Sequence, residues 1–148
     1  ETLERFKKYK INKSRLILLG RSKTRKEVLE VYNKIDIALD PFPFQGNTST
    51  FEAVWMGVPV ITLKGSRYLF HFGEMINSNL NMKDWIAENN NEYISKTIKF
   101  SSNIDLLSKI RTNLREKALQ SPLFDAPRFA KHFDKMLWEM WMKFCLQK

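Results

Sequence analysis

Hydrophobic positions along the chain fall into two regimes. As far as Gly73, short apolar runs alternate with stretches of helical spacing. Beyond it the apolar residues recur every three or four positions, and no helix breaker appears until Pro122. The first regime is the pattern of βαβ units on a parallel sheet. Three runs predict strands: Arg15-Leu16-Ile17-Leu18-Leu19 before Gly20, Ile35-Asp36-Ile37-Ala38-Leu39 before Asp40-Pro41, and Pro59-Val60-Ile61-Thr62-Leu63 before Lys64-Gly65. Their nearly continuous apolar character suits strands covered by helices on both faces.

Between these runs, Lys23 to Asn33 places Val28, Leu29, Val31 and Tyr32 on a helix face, and Thr48 to Met56 does the same with Phe51, Val54 and Trp55. Gly57 follows the second helix, where a left-handed C-terminal position favours glycine. Further helices are predicted over Arg67 to Asn77, Glu92 to Phe100, Ile104 to Leu119 and Pro127 to Leu146. The last carries a broad stripe of Phe129, Phe133, Met136, Leu137, Met140, Trp141 and Phe144, most of it expected in the core. Its polar face mixes Lys131, Asp134, Lys135, Glu139 and Lys143, which argues against a helix lying on a membrane. The expected fold class is α/β, a parallel Rossmann-like sheet with a helical C-terminal half, forming one domain over residues 1–148.

Composition narrows the chemistry. With 148 residues, 43% of them hydrophobic, the chain can close a core without staples. Cys145 is the single cysteine, so no intrachain disulfide forms, and with two histidines it cannot furnish a four-ligand zinc site. No apolar run reaches the roughly 18 residues of a membrane span and no leader opens the chain, so a cytoplasmic protein is expected. Because residue 1 is Glu rather than Met, the chain is also expected to be cut from something longer. The net charge is +9, and residues 1–26 hold ten basic side chains against Glu1 and Glu4. The rest is balanced, and its aromatics fall in apolar stripes rather than among basic residues, so nucleic acid is not an expected partner.

In an open parallel sheet, ligands bind beyond the carboxyl ends of strands, where helix N-termini present unpaired N–H groups. The segment Asp40-Pro41-Phe42-Pro43-Phe44-Gln45-Gly46-Asn47-Thr48-Ser49-Thr50-Phe51-Glu52 occupies such an end. Gly46 permits close backbone approach, and Asn47, Thr48, Ser49 and Thr50 gather amide and hydroxyl groups suited to a phosphate or pyrophosphate. Glu52, one turn into the helix, can accept hydrogen bonds from the vicinal hydroxyls of a ribose. The same residues read equally as a helix cap, with Asn47 or Thr48 capping and Glu52 completing a capping arrangement. Four consecutive hydroxyl or amide residues after a glycine favour the ligand. No G-x-G-x-x-G, G-x-x-x-x-G-K-[ST] or G-x-S-x-G occurs, which weakens kinase, P-loop and hydrolase readings. His71 lacks a paired acid or nucleophile at a telling spacing and reads as a surface or packing residue, His132 as structural and Cys145 as inert.

The run from Asp36 through Gly46-Asn47-Thr48-Ser49-Thr50-Phe51-Glu52 to Gly57-Val58-Pro59-Val60-Ile61-Thr62-Leu63 resembles the C-terminal signature of the O-GlcNAc transferase family, and Ser121-Pro122-Leu123-Phe124-Asp125 and Met136 to Trp141 resemble its end. The likeness covers about residues 12–144. It implies the C-terminal, nucleotide-binding domain of a GT-B glycosyltransferase, inverting and metal-independent, that transfers a sugar from a UDP-sugar such as UDP-GlcNAc or UDP-Glc to a protein acceptor. By the resemblance, Gly46, Asn47, Thr48 and Ser49 cradle the diphosphate, Glu52 binds the uridine ribose, and Lys23 to Arg25 contact uracil. It further implies that the N-terminal catalytic domain lies outside these residues, which hold no catalytic group and should be inactive alone. Bacterial members of the family often add tetratricopeptide repeats. Three features depart from the human-type pattern: Asn47 replaces a histidine, Glu52 an aspartate, and Val28 a base-stacking histidine. An alternative reading stays open: a non-catalytic nucleotide-binding or protein-interaction module whose basic N-terminal segment docks an acidic partner.

Overall fold

The computed structural model describes residues 1–147. Three parallel strands form one sheet in the order β1-β2-β3: β1 is Ala38–Leu39, β2 Val60–Leu63 and β3 Ile86–Ala87. Ala38 pairs with Val60 and Leu39 with Ile61, while Thr62 pairs with Ile86 and Leu63 with Ala87. The parallel α/β class expected from the sequence is therefore present, built from a different set of strands. Leu16–Leu19 forms no strand: it follows a 3-10 turn at Lys13–Arg15, Leu16 is extended, and Ile17 is 84% exposed. An apolar run favours extended backbone, but a strand also needs a hydrogen-bonded neighbour, and among the described residues this run has none. Of the run Ile35–Leu39 only the last two residues pair. β3 was not predicted, because two apolar residues after Trp85 are too few to show a strand pattern.

Among the described residues there are seven α-helices: α1 (Thr2–Lys8), α2 (Arg25–Val31), α3 (Thr48–Trp55), α4 (Phe72–Asn79), α5 (Asn90–Ser101), α6 (Ile104–Leu119) and α7 (Ala126–Leu146). Their starts follow local chemistry. Thr24, Asn89, Asn103 and Asp125 each accept a backbone N–H from the first turn of α2, α5, α6 and α7. The helix expected over Arg67–Asn77 is instead a 3-10 turn, Tyr68–Phe70, followed by α4. α3 ends at Gly57, whose φ of +79° and N–H bond to the Val54 carbonyl (3.0 Å) match the predicted left-handed close.

The main core gathers Val54, Ile61, Ile76, Leu80, Met82, Trp85, Phe100, Leu107, Leu114 and Ala118, with Trp85 and Phe100 stacked at 4.3 Å. A smaller cluster of Ala53, Val58 and Val60 takes in Tyr32, Ile35 and Ala38. Buried Asn77 bridges elements, its Nδ2 donating to the Val60 carbonyl at 2.9 Å. α7 corrects the sequence reading. None of its residues is buried; Phe129 is 67% and Trp141 56% exposed, and its principal contact is the 3-10 turn Pro122–Phe124. Spacing reveals that a helix has an apolar face but not what covers it. Among the described residues, no helix is long and apolar enough to cross a membrane.

Candidate functional site

β1 is followed directly by Asp40, a residue only 3% exposed. Its Oδ1 accepts the Gly46 N–H at 2.7 Å and its Oδ2 accepts the Thr62 hydroxyl at 2.8 Å, so the loop after β1 is folded back onto β2. Burial, the largest influence, raises the Asp40 pKa, with the Gly46 and Thr62 bonds opposing it. The loop passes through a cis Phe42–Pro43 peptide. Gln45, fully enclosed, donates to the Leu63 carbonyl and accepts the Gly73 N–H at 2.8 Å. This ties the loop to the carboxyl end of β2 and the start of α4. Gly73 is needed for that contact: a Cβ there would lie 2.5 Å from Asp40 Oδ2 and closer still to Thr62 Oγ1. Tyr93 of α5 donates to the Asp40 carbonyl at 3.1 Å, and its own hydroxyl is pushed up to about 12 by burial and then by the Asp40 charge.

The braced loop delivers Asn47, Thr48 and Ser49 to the N-terminus of α3, where all three are exposed. Asn47 makes no side-chain cap bond; Thr50 instead turns its hydroxyl back onto the Gly46 carbonyl at 2.9 Å. The first-turn N–H groups of a helix have no intrahelical acceptor, so those of Thr48 and Ser49 are donors at the start of α3 beside the exposed hydroxyls. An open depression of about 510 Å³ is lined by Pro41, Phe44, Gln45, Gly46, Asn47, Thr48, Ser49 and Glu52. Gly46, Asn47, Thr48, Ser49 and Glu52, predicted as site residues, thus share one surface. Gly46 enters it differently from expectation, since its N–H is already engaged by Asp40.

Glu52 is not part of a cap either. Its side chain is 11% exposed, and Oε1 pairs with Arg25 Nη1 at 2.5 Å while Oε2 accepts the Tyr32 hydroxyl at 3.2 Å. Tyr32 is raised to about 12, chiefly by burial and then by the Glu52 charge and bond, with Arg25 opposing, so it remains a donor at neutral pH. Arg25 therefore joins the site through Glu52. Lys23 does not join these contacts: its backbone N–H goes to Glu27 Oε2 at 2.7 Å and its side chain is exposed.

A second polar chain lies beyond β2. His71 Nδ1 is 2.6 Å from Glu74 Oε2, and Lys64 reaches Glu74 at 3.4 Å and Glu88 at 3.5 Å. Burial pushes Glu74 up, but the His71 bond and the Lys64 charge outweigh it and hold its carboxyl below the usual range. His71 thus has an acid partner three residues on, at the spacing of adjacent turns. Sequence reasoning missed Asp40, Gln45 and Tyr32. Asp40 closes an apolar run and Gln45 is polar after Pro-Phe-Pro-Phe, but nothing in the sequence names the partner that either of them or Tyr32 reaches.

A parallel sheet whose first βα turn carries this cluster beyond its carboxyl edge is the layout of a Rossmann-like half of a GT-B fold. The chain belongs to glycosyl transferase family 41, whose family model matches residues 2–133. It is 33% identical over 117 residues to a tomato (Solanum lycopersicum) protein named as a probable UDP-N-acetylglucosamine–peptide N-acetylglucosaminyltransferase, SPINDLY, covering 79% of this chain and 13% of that one. A Caenorhabditis elegans UDP-N-acetylglucosamine–peptide N-acetylglucosaminyltransferase is 22% identical over 109 residues, 74% of this chain and 10% of the other. Among solved structures, a mutant of Thermobaculum terrenum O-GlcNAc transferase superposes with a TM-score of 0.91 at 27% identity, over 99% of this chain and 28% of that one. The chain therefore spans about an eighth of the length of the tomato relative and a tenth of the nematode one.

Proposed function

We propose that these residues form the UDP-sugar-binding part of an inverting, metal-independent protein O-glycosyltransferase that takes UDP-GlcNAc as donor and a protein as acceptor. The observation that carries this reading is the shared depression in which the start of α3 presents Asn47, Thr48 and Ser49 beside the carboxylate of Glu52. The relatives named for peptide N-acetylglucosaminyl transfer support the same donor and acceptor classes.

In this mechanism the Thr48 and Ser49 N–H groups, their hydroxyls and the Asn47 amide hold the diphosphate, and the positive end of α3 adds to their field. As the sugar leaves, negative charge grows on the β-phosphate, and donors fixed in advance stabilise it without reorganising. Asp40 takes no part in binding; it fixes the turn by occupying the Gly46 N–H. Glu52 accepts ribose hydroxyls. The acceptor's proton is taken by an N-terminal domain outside these residues, in a cytoplasmic protein without nucleic-acid or membrane partners.

Calorimetric titration of the protein carrying this chain, at its full natural length, tests the reading with UDP, ADP and a duplex oligonucleotide. UDP-selective binding weakened about tenfold or more by Thr48→Ala is expected, the worth of one charge-assisted bond. Absent UDP binding with salt-sensitive oligonucleotide binding would replace it with an interaction module built on the basic N-terminal segment.

A further inference from the structure

The two oxygens of Glu52 are held by donors of opposite character. Arg25 is 64% exposed at its side chain and is the first residue of α2. Tyr32 is a rigid post: its ring packs against the Ala53, Val58 and Val60 cluster, and its backbone carbonyl accepts Arg111 Nη2 from α6 at 2.9 Å. Its hydroxyl lies 3.2 Å from both Glu52 Oε2 and the Ser49 carbonyl. One proton serves one acceptor at a time, and the carboxylate's charge makes it the stronger. A glutamate has three side-chain torsions and would otherwise sample orientations that turn its carboxylate away from a ligand.

We propose that Tyr32 is a positioning residue that aims Glu52 at the ribose and thereby sets the preference for a ribonucleotide over a 2′-deoxyribonucleotide, while Arg25 is the displaceable partner that yields its oxygen to the incoming hydroxyl. The proposal rests on the nucleotide reading above. With Oε2 held by Tyr32, the Arg25-bound Oε1 is the oxygen left for a ligand in the depression that Glu52 lines. A solvent-exposed guanidinium holds that position until a ligand hydroxyl takes it.

The test titrates UDP and 2′-deoxy-UDP into the full-length protein, its Tyr32→Phe and Glu52→Gln variants, and the double variant. Tyr32→Phe keeps the ring, so the packing of Ala53, Val58 and Val60 is retained, and the thermal midpoint serves as a folding control. The proposal expects the wild type to prefer UDP. Tyr32→Phe should lose about tenfold in UDP affinity while changing 2′-deoxy-UDP by no more than about twofold. Adding Tyr32→Phe to Glu52→Gln should change little, because the two act as one unit. Equal losses for both nucleotides, or no loss at all, would overturn the positioning role. A wild type that binds both nucleotides alike would instead overturn the assignment of Glu52 to the ribose.

Discussion

At the scale of single residues, the loop after β1 depends on a carboxylate that sequence patterning marks only as the end of a strand. Asp40 holds Gly46 and Thr62 from a buried position, and burial raises its pKa above the ordinary value of 3.8. The folded state therefore keeps the Asp40 proton to higher pH than the unfolded chain does. Its contribution is most favourable below the unfolded value and declines as pH rises from about 3.8 through the raised folded value. Asparagine preserves both contacts, its oxygen accepting from Gly46 and its amide donating to Thr62. Asp40→Asn should thus lose this decline and match or exceed wild-type stability at neutral pH, as urea midpoints measured across mildly acidic pH will show. Glu74 contributes with the opposite sign, so the readout is the difference between the two proteins. Asn47, Thr48, Ser49 and Glu52, which line one depression, were legible because hydroxyl, amide and acid types cluster after a glycine. The residues that brace them, Tyr32 and Gln45, were not, because their partners lie 20 and 28 positions away at Glu52 and Gly73.

At the scale of elements, helical spacing and the glycine after α3 predicted more than short apolar runs did. Gly57 was readable as the close of α3, and the structure gives it both a left-handed backbone and no room for a side chain, since a Cβ would lie 2.7 Å from the Arg111 carbonyl. Gly57→Ala should cost on the order of 2 kcal/mol and lower the melting temperature by roughly 4–8 °C, because left-handed strain adds to a clash with backbone. A calorimetric scan showing an unchanged midpoint would contradict that geometry. Helix α6 was predicted to the residue from its spacing, and it matters to the site because Arg111 reaches the Tyr32 carbonyl. Strands fared worse. Leu16–Leu19 has the composition of a strand but no neighbour among the described residues, whereas Ile86–Ala87 pairs with β2 on the strength of two residues. Pairing is a property of the neighbour, which local composition does not record.

At the scale of the whole molecule, the body built around the sheet and the long α7 behave as different materials. Trp85 lies stacked on Phe100 at 4% exposure, while Trp138 of α7 is 64% exposed. Trp85→Ala should therefore cost about 3–5 kcal/mol in denaturant unfolding of this chain, and Trp138→Ala no more than about 0.5 kcal/mol. Comparable losses would mean that α7 is packed after all. The body's carboxyl edge, in contrast, is braced from four sides, by Asp40, Gln45, Tyr32 and Tyr93, which is what a preorganised anion site requires. That bracing makes the start of α3 the place where a nucleotide should register. Nuclear magnetic resonance of selectively labelled protein titrated with UDP measures this directly. The largest amide shifts are predicted at Asn47, Thr48, Ser49 and Glu52, reached saturably and not reproduced by ADP at the same concentration. Saturable UDP binding that leaves those four amides unmoved would contradict the account.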